Sequence, residues 1–146
     1  MARTSYNLQI NNWSQASSLG KQIRLSSLIH HGVELQVFVI PNINGLLVEG
    51  VRRCAGIFIR SLRDGEPIVF NDGEHLTLRF ELEINDPISG QLITRDRVVT
   101  IDHIRSDMGY SNLFSMEPGS PYREMETLSF VVSLTLHSYV RHAIAI

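Results

Sequence analysis

The segment 76–84 alternates strictly between apolar and polar residues and reads Leu-Thr-Leu-Arg-Phe-Glu-Leu-Glu-Ile. Side chains of a β-strand point alternately to its two faces, so this pattern predicts a strand with one buried and one wet face. The flanking turn sequences, at 71–73 and 85–90, contain the Asn, Asp, Pro and Gly residues typical of hairpins. We therefore expect an antiparallel sheet, with a hairpin on each side of this strand.

Eight further segments have strand-like composition or alternation, at the spacing of roughly 8 to 12 residues that is typical of all-β domains. They are 6–10, 22–29, 33–40, 46–51, 56–62, 67–70, 92–101 and 128–140. Turn residues separate them, as at 30–32, 41–45 and 63–66. The sequence thus predicts an all-β fold, an antiparallel β-sandwich or a jelly-roll-like barrel of short strands, with the long segment 128–140 as a central strand.

The segment 45–62 also fits a second interpretation. Its apolar residues recur at helical spacing, so an amphipathic helix capped by Asn44 could pack on an antiparallel sheet and make the fold α+β. Gly50 and Gly56 would each cost about 1 kcal/mol in a helix relative to alanine. The following Gly-Ile-Phe-Ile run is prone to form a strand, so we favour strands here.

The size and composition of the chain fit a single globular domain over residues 1–146, with 43% hydrophobic residues and a net charge of −2. No apolar run approaches the ~18 residues that a membrane span needs. The first residues lack the apolar core of a signal peptide, and Cys54 is the single cysteine, so no intramolecular disulfide forms. We expect an intracellular protein, cytoplasmic or nuclear, without a membrane span.

The residues with reactive side chains match no catalytic, metal or phosphate-loop motif. His30 and His31 are adjacent, so on a strand they point to opposite faces and suit a shared metal ion poorly. Glu81 and Glu83 share the wet face of the alternating strand with Arg79, which favours cross-strand ion pairs over a catalytic acid pair. The sequence therefore predicts no enzyme activity, no metal site and no cofactor.

Two segments are candidates for binding. Four arginines lie close together in the sequence, and such a cluster can bind the phosphates of nucleic acid or simply solvate a surface that also carries acidic residues; they are Arg52, Arg53, Arg60 and Arg63. The stretch 105–124 is predicted to be a long loop, and long loops in compact domains are often functional. Its aromatic residues would form an interaction surface or pack back onto the core; they are Tyr110, Phe114 and Tyr122.

The segment 37–63 carries a resemblance to a known family. It contains, in order, Val-Phe-Val-Ile-Pro, Asn-Gly-Leu and Glu-Gly-Val-Arg. These elements resemble the middle of the small pathogenicity proteins encoded by the DNA satellites of geminiviruses. The overall pattern of short strands also resembles small viral jelly rolls of coat and movement proteins. The resemblance implies a viral accessory protein that binds nucleic acid or host factors inside the plant cell.

These features together predict a non-enzymatic protein that works by self-association, of the coat, matrix, movement or silencing-suppressor type. Its partners would be further copies of the chain, as a homo-oligomer, and a host protein. The apolar segment 143–146 favours such a subunit contact. Two alternatives stay open: a nucleic-acid-binding module that uses the arginines, and a β-sandwich that binds a small ligand or carbohydrate on Trp13 or the loop aromatics.

Overall fold

A computed structural model describes residues 2–47, 50–87 and 89–142, and it describes the side chains of these residues except within 44–52. In this part of the chain, ten strands and one helix follow one another. They are β1 (Arg3–Asn11), α1 (Trp13–Ser18), β2 (Ile23–Arg24), β3 (Leu28–His30), β4 (Val33–Leu47), β5 (Gly50–Arg63), β6 (Glu66–Pro67), β7 (His75–Asn85), β8 (Leu92–Asp102), β9 (Asp107–Ser115) and β10 (Thr127–Val140).

The strands form two antiparallel sheets that pack as a sandwich, which confirms the predicted all-β class. Sheet A has the order β1-β10-β7-β8. In sheet B, β2 and β3 both pair with β4, which pairs with β5, and β5 also pairs with β6 and β9. The long strand β10 lies between β1 and β7, so the expected central position of segment 128–140 is confirmed.

The core lies between the two sheets and is formed by one face of each. All five apolar residues of the alternating strand are at most 1% exposed; they are Leu76, Leu78, Phe80, Leu82 and Ile84. The opposite wall includes the odd-numbered residues of β4 and β5, among them Val33, Leu35, Val37, Val39, Ile57 and Ile59. Burying each such side chain stabilises the fold by about 1.5–3 kcal/mol.

The outer face of sheet A carries the expected cross-strand ion pairs. Arg3 Nε lies 2.7 Å from Glu81 Oε2, and Arg79 Nη2 lies 3.6 Å from Glu81 Oε1 and 2.5 Å from Asp96 Oδ2. These pairs connect β1, β7 and β8 across the surface. The interpretation of this face as a mixed-charge surface is confirmed.

One end of the sandwich is closed by α1, which the sequence did not predict. Trp13 is fully buried, its Nε1 donates to the Tyr122 carbonyl at 2.7 Å, and its ring lies edge-on to Phe114. The helix has six residues, and Asn12 before it has a left-handed backbone and makes no side-chain capping bond. A helix this short without a capping bond lacks the signals that identify helices in sequences.

One predicted loop and two predicted turns are corrected. The stretch 105–124 is not one long loop, because β9 occupies its first half and pairs with β5. The predicted turn at 41–45 lies within β4, where the pairing with β5 shifts between Ile40 and Ile43. The turn at 71–73 leads from sheet B to β7 in sheet A, so it is not a hairpin, whereas 85–90 does join β7 to β8.

Several strand boundaries are also corrected, and the helix interpretation of 45–62 is wrong. Residues 45–47 belong to β4 and 50–62 to β5, while 48 and 49 lie outside the described residues. The predicted strand 46–51 is therefore the end of the β4–β5 hairpin. Segment 22–29 divides into β2 and β3, and 67–70 contributes only Pro67, the last residue of β6.

Two arginines of β8 line the side of the sandwich between β8 and β9, and one of them, Arg97, connects the two sheets. Arg95 and Arg97 pair with Leu82 and Phe80, so the strand alternation places them on the inner face of sheet A. Arg97 Nη1 donates to the Gly109 carbonyl of β9 at 3.2 Å. This side of the sandwich is thus lined by exposed, inward-facing guanidinium groups.

The end of the sandwich opposite Trp13 is held by a buried carboxylate. Glu74 accepts hydrogen bonds from the backbone N–H of Asn71 at 2.7 Å, from that of His142 at 2.6 Å and from Arg141 Nε at 3.1 Å. The two backbone bonds and the Arg141 guanidinium lower the pKa of Glu74 to about 2. Glu74 therefore ties the end of β10 to the turn that enters β7.

We expect Glu74→Gln to destabilise the fold at neutral pH and to weaken its sensitivity to acid. Because the pKa of Glu74 is about 2 in the folded protein against 4.5 ordinarily, its contribution is complete above about pH 4.5 and is lost as the pH falls towards 2. Chemical denaturation at a series of pH values measures this. The exposed Glu66→Gln variant is the control, and equal acid profiles for wild type and Glu74→Gln would contradict the assignment.

Candidate functional site

The outer face of the β4–β5 hairpin carries a second apolar cluster, separate from the core. The rings of Phe38 and Phe58, which pair across the two strands, stack with centroids 5.6 Å apart and planes 22° apart. Ile43 extends the cluster along β4. A Cβ on Gly56 would lie 2.7 Å from both Ile43 Cδ1 and Phe58 Cε2, so the missing side chain lets these two residues meet.

Arg60 covers the aromatic pair. Its guanidinium carbon lies 4.4 Å from the centre of the Phe38 ring, and Phe38 is only 1% exposed. Its Nη2 donates to Gln36 Oε1 at 2.7 Å and to Gln22 Oε1 at 3.2 Å. Burial, together with the charge of nearby Arg24, lowers the pKa of Arg60. The guanidinium is thus bound to its own sheet.

The structure does not bring the predicted arginine cluster together. Arg53 and Arg63 are both exposed, near opposite ends of β5. They are ten residues apart, or about 33 Å at the ~3.3 Å rise of a strand. The side chain of Arg52 lies outside the described residues. Of the four, Arg60 alone is shown to contact the outer apolar cluster.

The three aromatic residues of the predicted loop are buried. Phe114 and Tyr122 stack with centroids 4.4 Å apart, and the Tyr110 hydroxyl donates to the Phe80 carbonyl of the other sheet. Burial raises the pKa of both tyrosines to about 12. Of the two alternatives for these residues, packing onto the core is the one observed. Neither they nor the fully buried Trp13 offers an exposed stacking surface.

The adjacent histidines, His30 and His31, lie in a buried contact between the sheets and in a turn, respectively. His30 is buried at the end of β3, and its Nδ1 lies 3.0 Å from the Tyr6 hydroxyl of β1 in the other sheet. Burial, and then the charge of His31, lowers the pKa of His30 below its ordinary 6.5. His31 has a positive φ and forms the turn into β4. Within the described residues, no group of three His, Cys, Asp or Glu side chains is placed to hold a metal ion.

Beyond the outer cluster, the hairpin continues as a two-stranded arm, which we define as residues 44–47 and 50–52. The pairing of β4 with β2 ends at Val39, and that of β5 with β9 ends at Cys54. The two hairpin strands nevertheless stay paired to Leu47 and Gly50. Sequence reasoning missed the arm because Asn44-Gly45, a common turn dipeptide, lies here inside a strand.

The composition of the arm is apolar. The segment 44–52, which consists of the arm and residues 48 and 49, reads Asn-Gly-Leu-Leu-Val-Glu-Gly-Val-Arg, with one acidic and one basic residue. A two-stranded hairpin alone is marginally stable in water, because it cannot bury an apolar face. The arm is therefore a segment that would gain stability from a partner surface.

Comparison with known proteins supports the fold and gives no family. No family model matches the chain, and no curated protein matches it. Among solved structures, TRAF5 from Notothenia coriiceps is similar with a TM-score of 0.50 and 12% sequence identity, over 96% of this chain and 76% of that one. At this identity the likeness is one of fold. No described helix has the length and apolar character of a membrane span.

We expect Arg60→Ala to destabilise the fold by about 1–2 kcal/mol, because it removes the hydrogen bonds to the Gln36 and Gln22 amides and the cation over Phe38. Arg63→Ala is the matched control on the same strand, since Arg63 is exposed, and it should change the free energy of unfolding by less than about 0.5 kcal/mol. Urea denaturation measures both. Equal losses would show that Arg60 has no special role in covering the cluster.

Proposed function

We propose that this protein is a non-enzymatic interaction module that self-associates through the β4–β5 arm. The observation that carries the proposal is the extension of an apolar two-stranded hairpin beyond the strands that flank it on both sides. Pairing with the arm of another copy would bury its apolar residues and supply hydrogen bonds to its outer strand edges.

The surface next to the arm has the composition of a protein interface. Apolar Ile43 and Phe58 are half-buried, and polar groups of Gln36 and Arg60 lie beside them. Interfaces commonly combine an aromatic and aliphatic centre with a polar rim in which arginine is enriched. The arm and the outer cluster belong to the same β4–β5 hairpin, and both are included in the proposed interface.

The proposal includes a viral accessory role. The resemblance to the satellite pathogenicity proteins spans 37–63, which is most of the same β4–β5 hairpin. In this role, a host protein would bind the hairpin face that otherwise contacts a second copy. The nucleic-acid alternative has less support, because Arg53 and Arg63 lie far apart and Arg60 is bound to its own sheet.

We expect light scattering after size exclusion to give a mass above the 16.5 kDa of one chain, rising with protein concentration. The double substitution Leu46→Ser and Leu47→Ser should shift the protein to monomer, because it removes apolar surface from the arm. Val69→Ser is the matched control: Val69 is apolar and 82% exposed but lies outside the hairpin, so its substitution should leave the mass unchanged.

A monomer of wild type at all concentrations would contradict the proposal, as would a double variant with the mass of the wild type. Circular dichroism establishes that each variant is folded. The ratio of nucleic-acid to protein absorbance in the same run tests the alternative. A mass that falls to one chain on nuclease treatment would assign the association to bound nucleic acid.

A further inference from the structure

A groove of about 410 Å³ lies on the outer face of sheet A, towards the end that Trp13 closes. Grooves of this volume are within the range of small-molecule sites in proteins. Its lining includes residues of all four strands of the sheet, with Asn7, Gln9, Glu83, Asn85, Ser129 and Val131 among them and Leu92 at one side. The groove is on the sheet opposite the β4–β5 hairpin and is separate from the arm.

Glu83 differs from the other carboxylates of this face. Glu81, two residues earlier, pairs with Arg3 and Arg79, and Asp96 pairs with Arg79. Glu83 points to the same face and is half-buried, yet in the described part of the chain it forms no ion pair. Its two oxygens remain available to accept hydrogen bonds from a ligand.

Two asparagine side chains of the groove are also available, whereas the Gln9 amide donates to Asn11 Oδ1 at 3.1 Å. Asn7 and Asn85 donate or accept no side-chain hydrogen bond within the described residues, and each amide offers both a donor and an acceptor. Val131 is half-buried and Leu92 is 54% exposed, so the groove also has apolar surface. The lining thus alternates hydrogen-bonding groups with aliphatic ones.

This chemistry selects one class of ligand. Anions are disfavoured, because no lysine or arginine lines the groove. A divalent cation is disfavoured, because Glu83 is the only carboxylate in the lining and hard cations take six or more oxygen ligands. Hydroxyl groups suit the site, since they can donate to Glu83 and both donate to and accept from the amides.

We propose that the groove binds a neutral polyhydroxylated ligand, a short saccharide. Hydroxyl groups donate to the Glu83 carboxylate in charge-assisted hydrogen bonds, which are stronger than neutral ones. Asn7 and Asn85 bind further hydroxyls, and the C–H face of the sugar lies on Val131 and Leu92. Four strands at a spacing of about 4.8 Å span ~14 Å, the length of a short oligosaccharide.

Two-dimensional NMR of isotope-labelled full-length protein tests this, with maltotriose, cellotriose and triacetylchitotriose as separate probes. At least one of them should cause saturable shifts in the amide signals of Asn7, Glu83, Asn85 and Val131. Absence of saturable shifts with all three, or shifts confined to other surfaces, would overturn the proposal. Trilysine is the cationic probe, and saturation of the groove by trilysine but by no saccharide would likewise overturn it.

Glu83→Gln should weaken saccharide binding by about tenfold or more, because a carboxylate acceptor is replaced by a neutral amide. Glu81→Gln is the matched control on the same strand and face, and it should bind as the wild type does. Asn85→Ala, at the exposed end of β7, is a second test and should also weaken binding. Unchanged affinity in a folded Glu83→Gln variant would rule out the assigned contact.

Discussion

The burial of one face of β7 is the constraint on which the sandwich depends. The inner row of this strand lies between β10 and β8 in its own sheet and packs against β4 and β5. A shift of one residue in its pairing would move Arg79, Glu81 and Glu83 into the core and the apolar row into water. The charged outer row therefore also stabilises the register, since the alternative would bury unpaired charges.

Apolar–polar alternation predicted β7, the β-branched and aromatic residues of 128–140 predicted β10, and the series of short strand-like segments predicted the class of fold. These sequence signals gave no indication at positions where the role of a residue depends on contact with a strand that is distant in the sequence. Gly109 falls within the predicted loop 105–124, but a Cβ there would collide with the backbone of Ile57 and Phe58, so the glycine allows β9 to approach β5. Likewise, the pairing of β4 with β5 shifts between Ile40 and Ile43, and β4 continues through 41–45 although this segment carries turn residues. Such features depend on which strands pair in the folded protein, so they produce no recognisable pattern in the local sequence.

The candidate surfaces were predictable only in part, for the same reason. The sequence predicts the strand 56–62 that contains Arg60, but arginines that are close along the chain need not be close in space. A strand sends neighbouring side chains to opposite faces and separates distant ones, so Arg53 and Arg63 lie apart. The groove around Glu83 was missed because its residues come from four strands. Glu81 differs from Glu83 because Arg3 and Arg79 lie close enough to form ion pairs with it. Only the folded arrangement of the strands determines these distances.

The inward-facing arginines of β8 also affect how the protein behaves at high concentration. An edge strand with free backbone groups can recruit a strand of another molecule and extend the sheet without limit. At β8, an added molecule would enclose the guanidinium groups of Arg95 and Arg97, which lie on the core side of the sheet. Desolvating these charges opposes the addition. Adding a strand at this edge of the sandwich therefore carries a desolvation cost that an edge without inward-facing charges would not have.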